Sequence, residues 1–243
     1  MGRAVCGADS GSAGAALTLP VLSASVREVL CLGAHCDDVE IGCGGTLALL
    51  RAARPDVRIK VVVFSSDPVR RQETEVALQR LAGGEGPLEV RCLGIKDGYF
   101  PADWGSVKAS FAEIRASCRP DLILTHWEGD RHQDHRTVCE LTWNTFRDHL
   151  ILEYEIPKYD GDLGRPGLYV PLARETVDHK TRTLLESFSS QAGKPWFSAD
   201  TFLGLMRLRG LECRSDSGYA EAFHTRKLLV DFGGGGVHRS EVR

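Results

Sequence analysis

The chain has 243 residues, 42% hydrophobic and 26% charged, a length and balance at which one domain buries a core without disulfides or oligomerisation. Its formal charge is −3 and its basic residues are scattered, which leaves no surplus to neutralise a phosphate backbone and argues against a nucleic-acid partner. No stretch approaches the length of consecutive apolar residues that a membrane-spanning helix requires. From the amino end, residues 1–24 are expected to form a flexible segment, Gly/Ala/Ser-rich from 7 to 16 and without the basic start and sustained apolar run of a secretory signal. Residues 28–34 (EVLCLGA) read as a first strand and 46–53 as a helix. Residues 57–64 repeat the pattern as a β-branched strand, 68–81 as a helix with a charged face and 88–93 as a third strand. Residues 106–117 look helical, and 121–125 (DLILT) form a fourth buried strand after Pro120. Beyond 150 the pattern loosens: a strand over 151–156, a Gly/Pro/Asp-rich loop over 158–167, and helices near 175–188 and 199–209. Residues 233–243, opening on four glycines, are expected to be a flexible tail.

Strands alternating with helices at this spacing imply a doubly wound α/β fold: a mainly parallel sheet with helices on both faces, in a single domain over 25–232. Such folds bind ligands beyond the carboxyl ends of their strands, so the loops after the first and fourth strands are the informative ones. Eight cysteines (Cys6, Cys31, Cys36, Cys43, Cys92, Cys118, Cys139, Cys213) contain no C-x-x-C pair. They read as reduced thiols, with a cytoplasmic location as the expectation.

Each informative loop carries a polar cluster. After the first strand comes His35-Cys36-Asp37-Asp38, followed by Gly42, Gly44 and Gly45; after the fourth come His126 and then Asp130-Arg131-His132-Gln133-Asp134-His135. Ionised carboxylates are almost never buried without a counter-charge, and parallel topology brings both loops to one rim. Two imidazoles and a carboxylate meeting there make a mixed N/O set that suits zinc and leaves a fourth position for water. One Asp of the adjacent pair can ligate while the other accepts a proton. Taken separately, each cluster has a plainer reading: Asp37 and Asp38 as helix caps, and His132 and His135 as exposed histidines at a helix start. The glycines do not fit G-x-G-x-x-G and no Walker lysine accompanies them, so they read as a tight backbone turn beneath the metal loop.

The elements AHCDD with GCGGTL, and RHQDHR, resemble the signature motifs of the PIG-L/LmbE family of metal-dependent N-acetylglucosaminyl deacetylases. That resemblance implies His35, Asp38 and His135 as zinc ligands, with ferrous ion as the open alternative. It implies Asp37 as general base and His132 as general acid or electrophilic partner, with Asp134 orienting His132; a cationic imidazole would fill that role. Arg70, heading an R-x-x-E element with Glu73, and Asp97, before Gly98, are implied as substrate contacts; plainer readings are a solvated helix residue and an Asp-Gly turn. Ser190-Gln191 and residues 219–223 (YAEAF) are further landmarks. Cys36 and Gln133 stand where the family commonly has Pro, and Cys36 is a competent soft ligand, although its flanking positions favour a thiol turned away. Trp104, Trp127 and Trp196 read as core or as a wall for a sugar ring, and His126 as a support of the site or the buried end of a strand.

The expectation is a zinc-dependent hydrolase that removes an N-acetyl or N-acyl group from an amino sugar or amino-sugar-containing metabolite. Its partner is that small molecule, with no membrane span; self-association into a homo-oligomer is left open. The alternatives are a metal amidase or esterase acting on a non-sugar metabolite, and a nucleotide- or metal-binding module without turnover.

Overall fold

Along the chain the elements are β1 (Glu28–His35), α1 (Asp38–Ala53), β2 (Arg58–Ser65), α2 (Pro68–Leu78), β3 (Leu88–Cys92), α3 (Trp104–Ser117), β4 (Leu122–His126), α4 (Gln133–Thr145) and β5 (Leu150–Tyr154). There follow β6 (Leu168–Pro171), α5 (Arg174–Ser187), α6 (Ala199–Glu212) and β7 (Ala220–His224). They come from a computed structural model in which residues 26–228 are described. The segments 1–24 and 233–243 expected to be flexible, and both edges of the expected domain, lie outside the described residues.

The strands form one seven-stranded sheet in the order β3-β2-β1-β4-β5-β7-β6. The first five of these run parallel, and β7 then pairs antiparallel with both β5 and β6. Val29, Cys31, Val61 and Val63 face one core layer, filled by side chains of α1, α2, α5 and α6. Leu30, Leu32, Val62 and Ile123 face the other, filled from α3 and α4. Burial on both faces explains why β1, β2 and β4 read as continuous apolar runs instead of alternating ones. The order reverses between β1 and β4, whose pairing aligns Val29 with Leu122 and Cys31 with Leu124. That is the topological switch point at which ligands bind in such sheets.

The first helix corrects the sequence reading. It begins at Asp38 rather than near residue 46, so Gly42, Gly44 and Gly45 lie inside it and make no turn. Their smallness serves packing. A Cβ on Gly42 would overlap the Tyr154 ring, and one on Gly44 or Gly45 would press on Leu81, or on Leu172 and Glu221. The bare helix face lets α1 pack against the Tyr154 ring, whose hydroxyl donates to the Leu32 carbonyl at 2.7 Å. Gly42→Ala is therefore expected to cost about 1–3 kcal/mol or more by overpacking, seen as an earlier urea midpoint with an unchanged m-value.

Two polar side chains from the carboxyl third grip the middle of α1. Glu221 accepts from the Gly45 and Thr46 amides at 2.8 and 2.7 Å. Lys180 donates to the Ile41 carbonyl at 2.5 Å and pairs with Glu221 at 2.6 Å, both side chains being buried. The residues 219–223, noted in the sequence without a structural meaning, thus supply β7 and an anchor for the helix that carries Asp37 and Asp38. Helix α2 ends in a π-turn over Gln79–Gly83, which accounts for its expected extent to residue 81.

Candidate metal centre and cleft

The carboxyl ends of β1 and β4 deliver the two loops to one point. His35 closes β1 and His126 closes β4, Asp38 begins α1, and Asp134 and His135 lie in the first turn of α4, capped by His132. His35 Nδ1 is 3.2 Å from His135 Nε2 and 3.6 Å from Asp38 Oδ2, and His135 Nε2 is 3.5 Å from Asp38 Oδ1. A tetrahedral ion with bonds near 2.1 Å spaces its ligand atoms about 3.4 Å apart. His35 and His135 meet that spacing, and Asp38 does so through Oδ2 toward His35 and through Oδ1 toward His135. Among the described residues, the donor groups close enough to hold an ion are His35 with His132 and His135, Asp38 with His126 and His135, and His35 with Asp97 and Asp134, N and mixed N/O sets of the kind that suits zinc.

Each imidazole of that set has a carboxylate behind it. His135 Nδ1 meets Asp130 Oδ2 at 2.8 Å, while His35 Nε2 meets Asp134 Oδ2 at 3.2 Å and Asp97 Oδ1 at 2.9 Å. Carboxylate–histidine pairs of this kind fix the tautomer and orientation of metal-binding rings. Asp130 was missed in the sequence although it lies in the same loop, because only the helical turn into α4 brings its carboxylate under His135. Its other oxygen accepts from the His132 amide at 2.7 Å, and Lys158 neutralises it at 2.9 Å. Asp130→Ala is expected to weaken metal binding about 10–100-fold, measurable by competition with a chromogenic chelator.

The expected partnership of Asp134 with the His132 ring is corrected. The Asp134 carboxylate faces away from that ring, accepting from the Gly98 and Phe100 amides at 2.6 and 3.1 Å besides contacting His35. It supports His35 and pins the loop that carries Asp97. The Asp134 main chain does touch His132: its N–H donates to Nδ1 at 3.3 Å, which places the imidazole proton on Nε2. Burial, followed by the nearby His35 charge, pushes His132 below the ordinary histidine value. This favours a neutral ring with its proton on Nε2 over the cationic imidazole expected from the sequence.

The two adjacent aspartates are electrostatically distinct. Asp37 takes φ 105°, a left-handed conformation uncommon for a residue other than glycine, and its side chain does not cap α1. Burial pushes its carboxyl up to about 7, opposed by the Arg70 guanidinium, whose Nη2 lies 3.2 Å from Asp37 Oδ1. Burial acts on Asp38 too, but its interactions with the His135, His126 and His35 imidazoles outweigh it and hold that carboxyl well below its usual range. Asp38 is further fixed by the His35 amide at 2.7 Å and by His126 Nε2 at 3.1 Å. Burial likewise pushes His135 down to about 4, so it is neutral and its Nε2 lone pair is free for a cation.

His126 belongs beneath the site. It is fully buried, stacks on His135 at 3.9 Å, and its Nε2 accepts from the Ala34 amide at 2.9 Å while lying 3.1 Å from Asp38 Oδ2. Cys36 is turned away: its thiol is buried and directed at the Ser65 carbonyl at 3.8 Å, so it adds no soft ligand. Of the three tryptophans considered, only Trp196 lines the cleft above the cluster, an open cleft of about 210 Å³. Trp127 stacks on His224 at 4.5 Å, and Trp104 packs against the core layer under α3 and α4. Arg70 and Asp97 also line the cleft, beside Lys158, Tyr159, Gln191 and Lys194.

Together these features define an α/β protein with a donor cluster and a divided carboxylate pair seated over the switch point of its sheet. Residues 30–146 match the family described as PIG-L, GlcNAc-PI de-N-acetylase. The uncharacterized deacetylase YaiS of Escherichia coli K12 is 30% identical over 149 residues, spanning 56% of this chain and 77% of that protein. The chain belongs to the PIG-L family of deacetylases. Among solved structures, the fold is shared with the N,N'-diacetylchitobiose deacetylase of Pyrococcus horikoshii (TM-score 0.58, 18% identity, 82% of this chain and 84% of that one). It is shared equally with GalB, the 4-carboxy-2-hydroxymuconate hydratase of Pseudomonas putida KT2440 (TM-score 0.67, 18% identity, 84% of this chain and 98% of that one). One architecture carrying a hydrolase and a hydratase means that the reaction must be argued from the site. Among the described residues no helix is long and apolar enough to cross a membrane.

Proposed function

We propose that the chain is a zinc-dependent N-deacetylase that hydrolyses the acetamido group of an amino sugar or of a small metabolite containing one, in a single catalytic domain over 25–232. The observation that supports this reading is the approach of His35 Nδ1 and His135 Nε2 to 3.2 Å, with Asp38 Oδ2 3.6 Å from the first and Asp38 Oδ1 3.5 Å from the second, and a second carboxylate, Asp37, on the same cleft wall. Held by His35, Asp38 and His135, zinc would supply a Lewis acid for the acyl carbonyl and would lower the pKa of water there. Asp37 is the base. Its carboxyl, poised near neutrality by burial against Arg70, receives the water's proton and is well placed in energy to release it again. His132 presents Nε2–H to the acyl oxygen as negative charge develops there, a task that suits a neutral, well-oriented donor. Trp196 offers a flat apolar face for a pyranose ring, and Asp97 a carboxylate for its hydroxyls.

The test is acetate release by zinc-loaded protein from a panel of N-acetylated amino sugars and simple N-acyl amines, with free amine counted in parallel. Equimolar acetate and amine, confined to the sugars and abolished by a chelator, is the expected result. Turnover of the simple amides alone would support an amidase instead, and chelator-insensitive turnover would remove the metal from the account.

A further inference from the structure

We propose that Cys36 and Cys92 form a reversible redox pair: hydrogen peroxide joins them in a disulfide that displaces the metal loop and weakens its hold on a cation, and a thiol reductant restores it. The inference goes beyond the deacetylase reading and needs only the candidate metal site. It begins from where the two cysteines stand. Cys36 lies between His35 and Asp37 in the turn from β1 into α1, and its thiol reaches over the end of β2 to the Ser65 carbonyl. Cys92 ends β3 on the other side of β2, in register with Val63. Both belong to the core layer filled from α1 and α2, Cys36 inside it and Cys92 at its margin. Consecutive arginines in the first turn of α2 hold both main chains: Arg70 donates to the Cys36 carbonyl, and Arg71 to the Cys92 carbonyl at 3.3 Å. Beneath that turn the two thiols interact.

The pair is asymmetric in the way such chemistry requires. Among the described residues, Cys92 and Cys213 are the cysteines that keep some exposure and the others are buried, so Cys92 is the member of this pair that a dissolved oxidant reaches. Its interaction with the Cys36 thiol, with the Arg71 charge in support, holds the Cys92 thiol below its ordinary value against the opposing effect of burial. An accessible thiolate beside a second thiol is the arrangement that peroxides oxidise selectively. The Cys92 thiolate attacks the peroxide: an S–O bond forms, the O–O bond breaks, and hydroxide leaves to be protonated to water. The Cys36 sulfur then attacks the Cys92 sulfur. The S–S bond forms as the S–O bond breaks, and the Cys36 proton leaves with the hydroxyl as a second water. Two electrons have passed from the thiols to the peroxide. Cys36 cannot follow this bond without its neighbours. Its carbonyl is tied to Arg70, which also pairs with Asp37 at 3.2 Å, and the adjoining His35 amide is tied to Asp38 at 2.7 Å. Drawing Cys36 toward β3 therefore shifts His35, Asp37 and Asp38 together.

The experiment treats zinc-loaded full-length protein with graded hydrogen peroxide and blocks the remaining thiols with iodoacetamide. Linked peptides are mapped by mass spectrometry without reduction, while a chromogenic chelator reads zinc affinity. The wild type is expected to yield a Cys36–Cys92 linked peptide and to bind zinc about tenfold more weakly, the scale of disturbing a ligand's support; dithiothreitol should reverse both. Cys92→Ser should bind zinc as the reduced wild type does and keep that affinity in peroxide. Cys36→Ser should instead accumulate a Cys92 sulfenic acid, captured by dimedone. Peroxide that leaves both thiols free, or that links Cys92 to a different cysteine, would overturn the proposal. So would a linked protein that holds zinc as tightly as the reduced one, or a Cys92→Ser variant that loses zinc in peroxide as the wild type does. None of these readouts uses substrate, so a protein that switches as described but releases no acetate counts against the deacetylase reading alone.

Discussion

Replacing Asp37 by Asn is expected to lower kcat by about 10²–10⁴-fold, the usual contribution of a positioned general base, while zinc content is unchanged. Asn is nearly isosteric and cannot take a proton. The proposed ligands His35, Asp38 and His135 are held by other groups than the Asp37 carboxylate, and Arg70 keeps its bond to the Cys36 carbonyl. A second readout separates the base from a merely structural residue. Because burial raises the Asp37 carboxyl from an ordinary value of 3.8 to about 7, the folded metal-free protein binds that proton more tightly than the unfolded chain does. Its contribution to stability is therefore complete below about pH 4 and is lost as pH rises toward 7. Metal-free Asp37→Asn should accordingly melt above the metal-free wild type at pH 8, with the difference vanishing near pH 4. Lower stability of the Asn variant at pH 8 would show that the carboxylate is a structural ion-pair member and not a strained base.

The second large effect concerns His135. Its ring stands between Asp38 at 3.5 Å and Asp130 at 2.8 Å, so His135→Ala removes a proposed ligand and leaves two carboxylates without the group that joined them. Zinc affinity is expected to fall by well over the 10–100-fold that loss of a supporting partner costs. Elemental analysis of purified, folded protein after dialysis reads this out, with circular dichroism as the check on folding. Undiminished zinc in folded His135→Ala would remove His135 from the ligand set. The matched variant His126→Ala should keep a measurable zinc content, because the His126 Nε2 lone pair is spent on the Ala34 amide.

Much of the architecture was legible because it is written locally. The apolar runs of β1, β2 and β4 are buried on both faces, and the polar residues that end β1 and follow β4 stand where a parallel sheet must gather its ligands. That logic singled out His35, Asp37, Asp38, His132 and His135, and the structure brings all of them to one cleft. What was misread depends on partners far away in sequence. The glycines of α1 look like a turn until Tyr154, Leu81, Leu172 and Glu221 are seen to need the space. The short antiparallel strands β6 and β7 have no alternation long enough to announce them, and their pairing spans a helix pair. Asp134 looked like the partner of His132 because they are neighbours in sequence. A helix turn instead sends its carboxylate to His35 and the Gly98 amide, and hands the task of holding His135 to Asp130. The role of Arg70 as a brake on the Asp37 carboxyl likewise depends on the contact between α2 and the metal loop.

Anomalous diffraction from zinc-soaked crystals, recorded on both sides of the zinc absorption edge, would decide the account. It predicts a single strong peak about 2.0–2.2 Å from His35 Nδ1, an Asp38 carboxylate oxygen and His135 Nε2, with the Asp37 carboxylate facing it but unbound. A peak bound by His132 in place of Asp38, or no peak within reach of both His35 and His135 at saturating zinc, would contradict it.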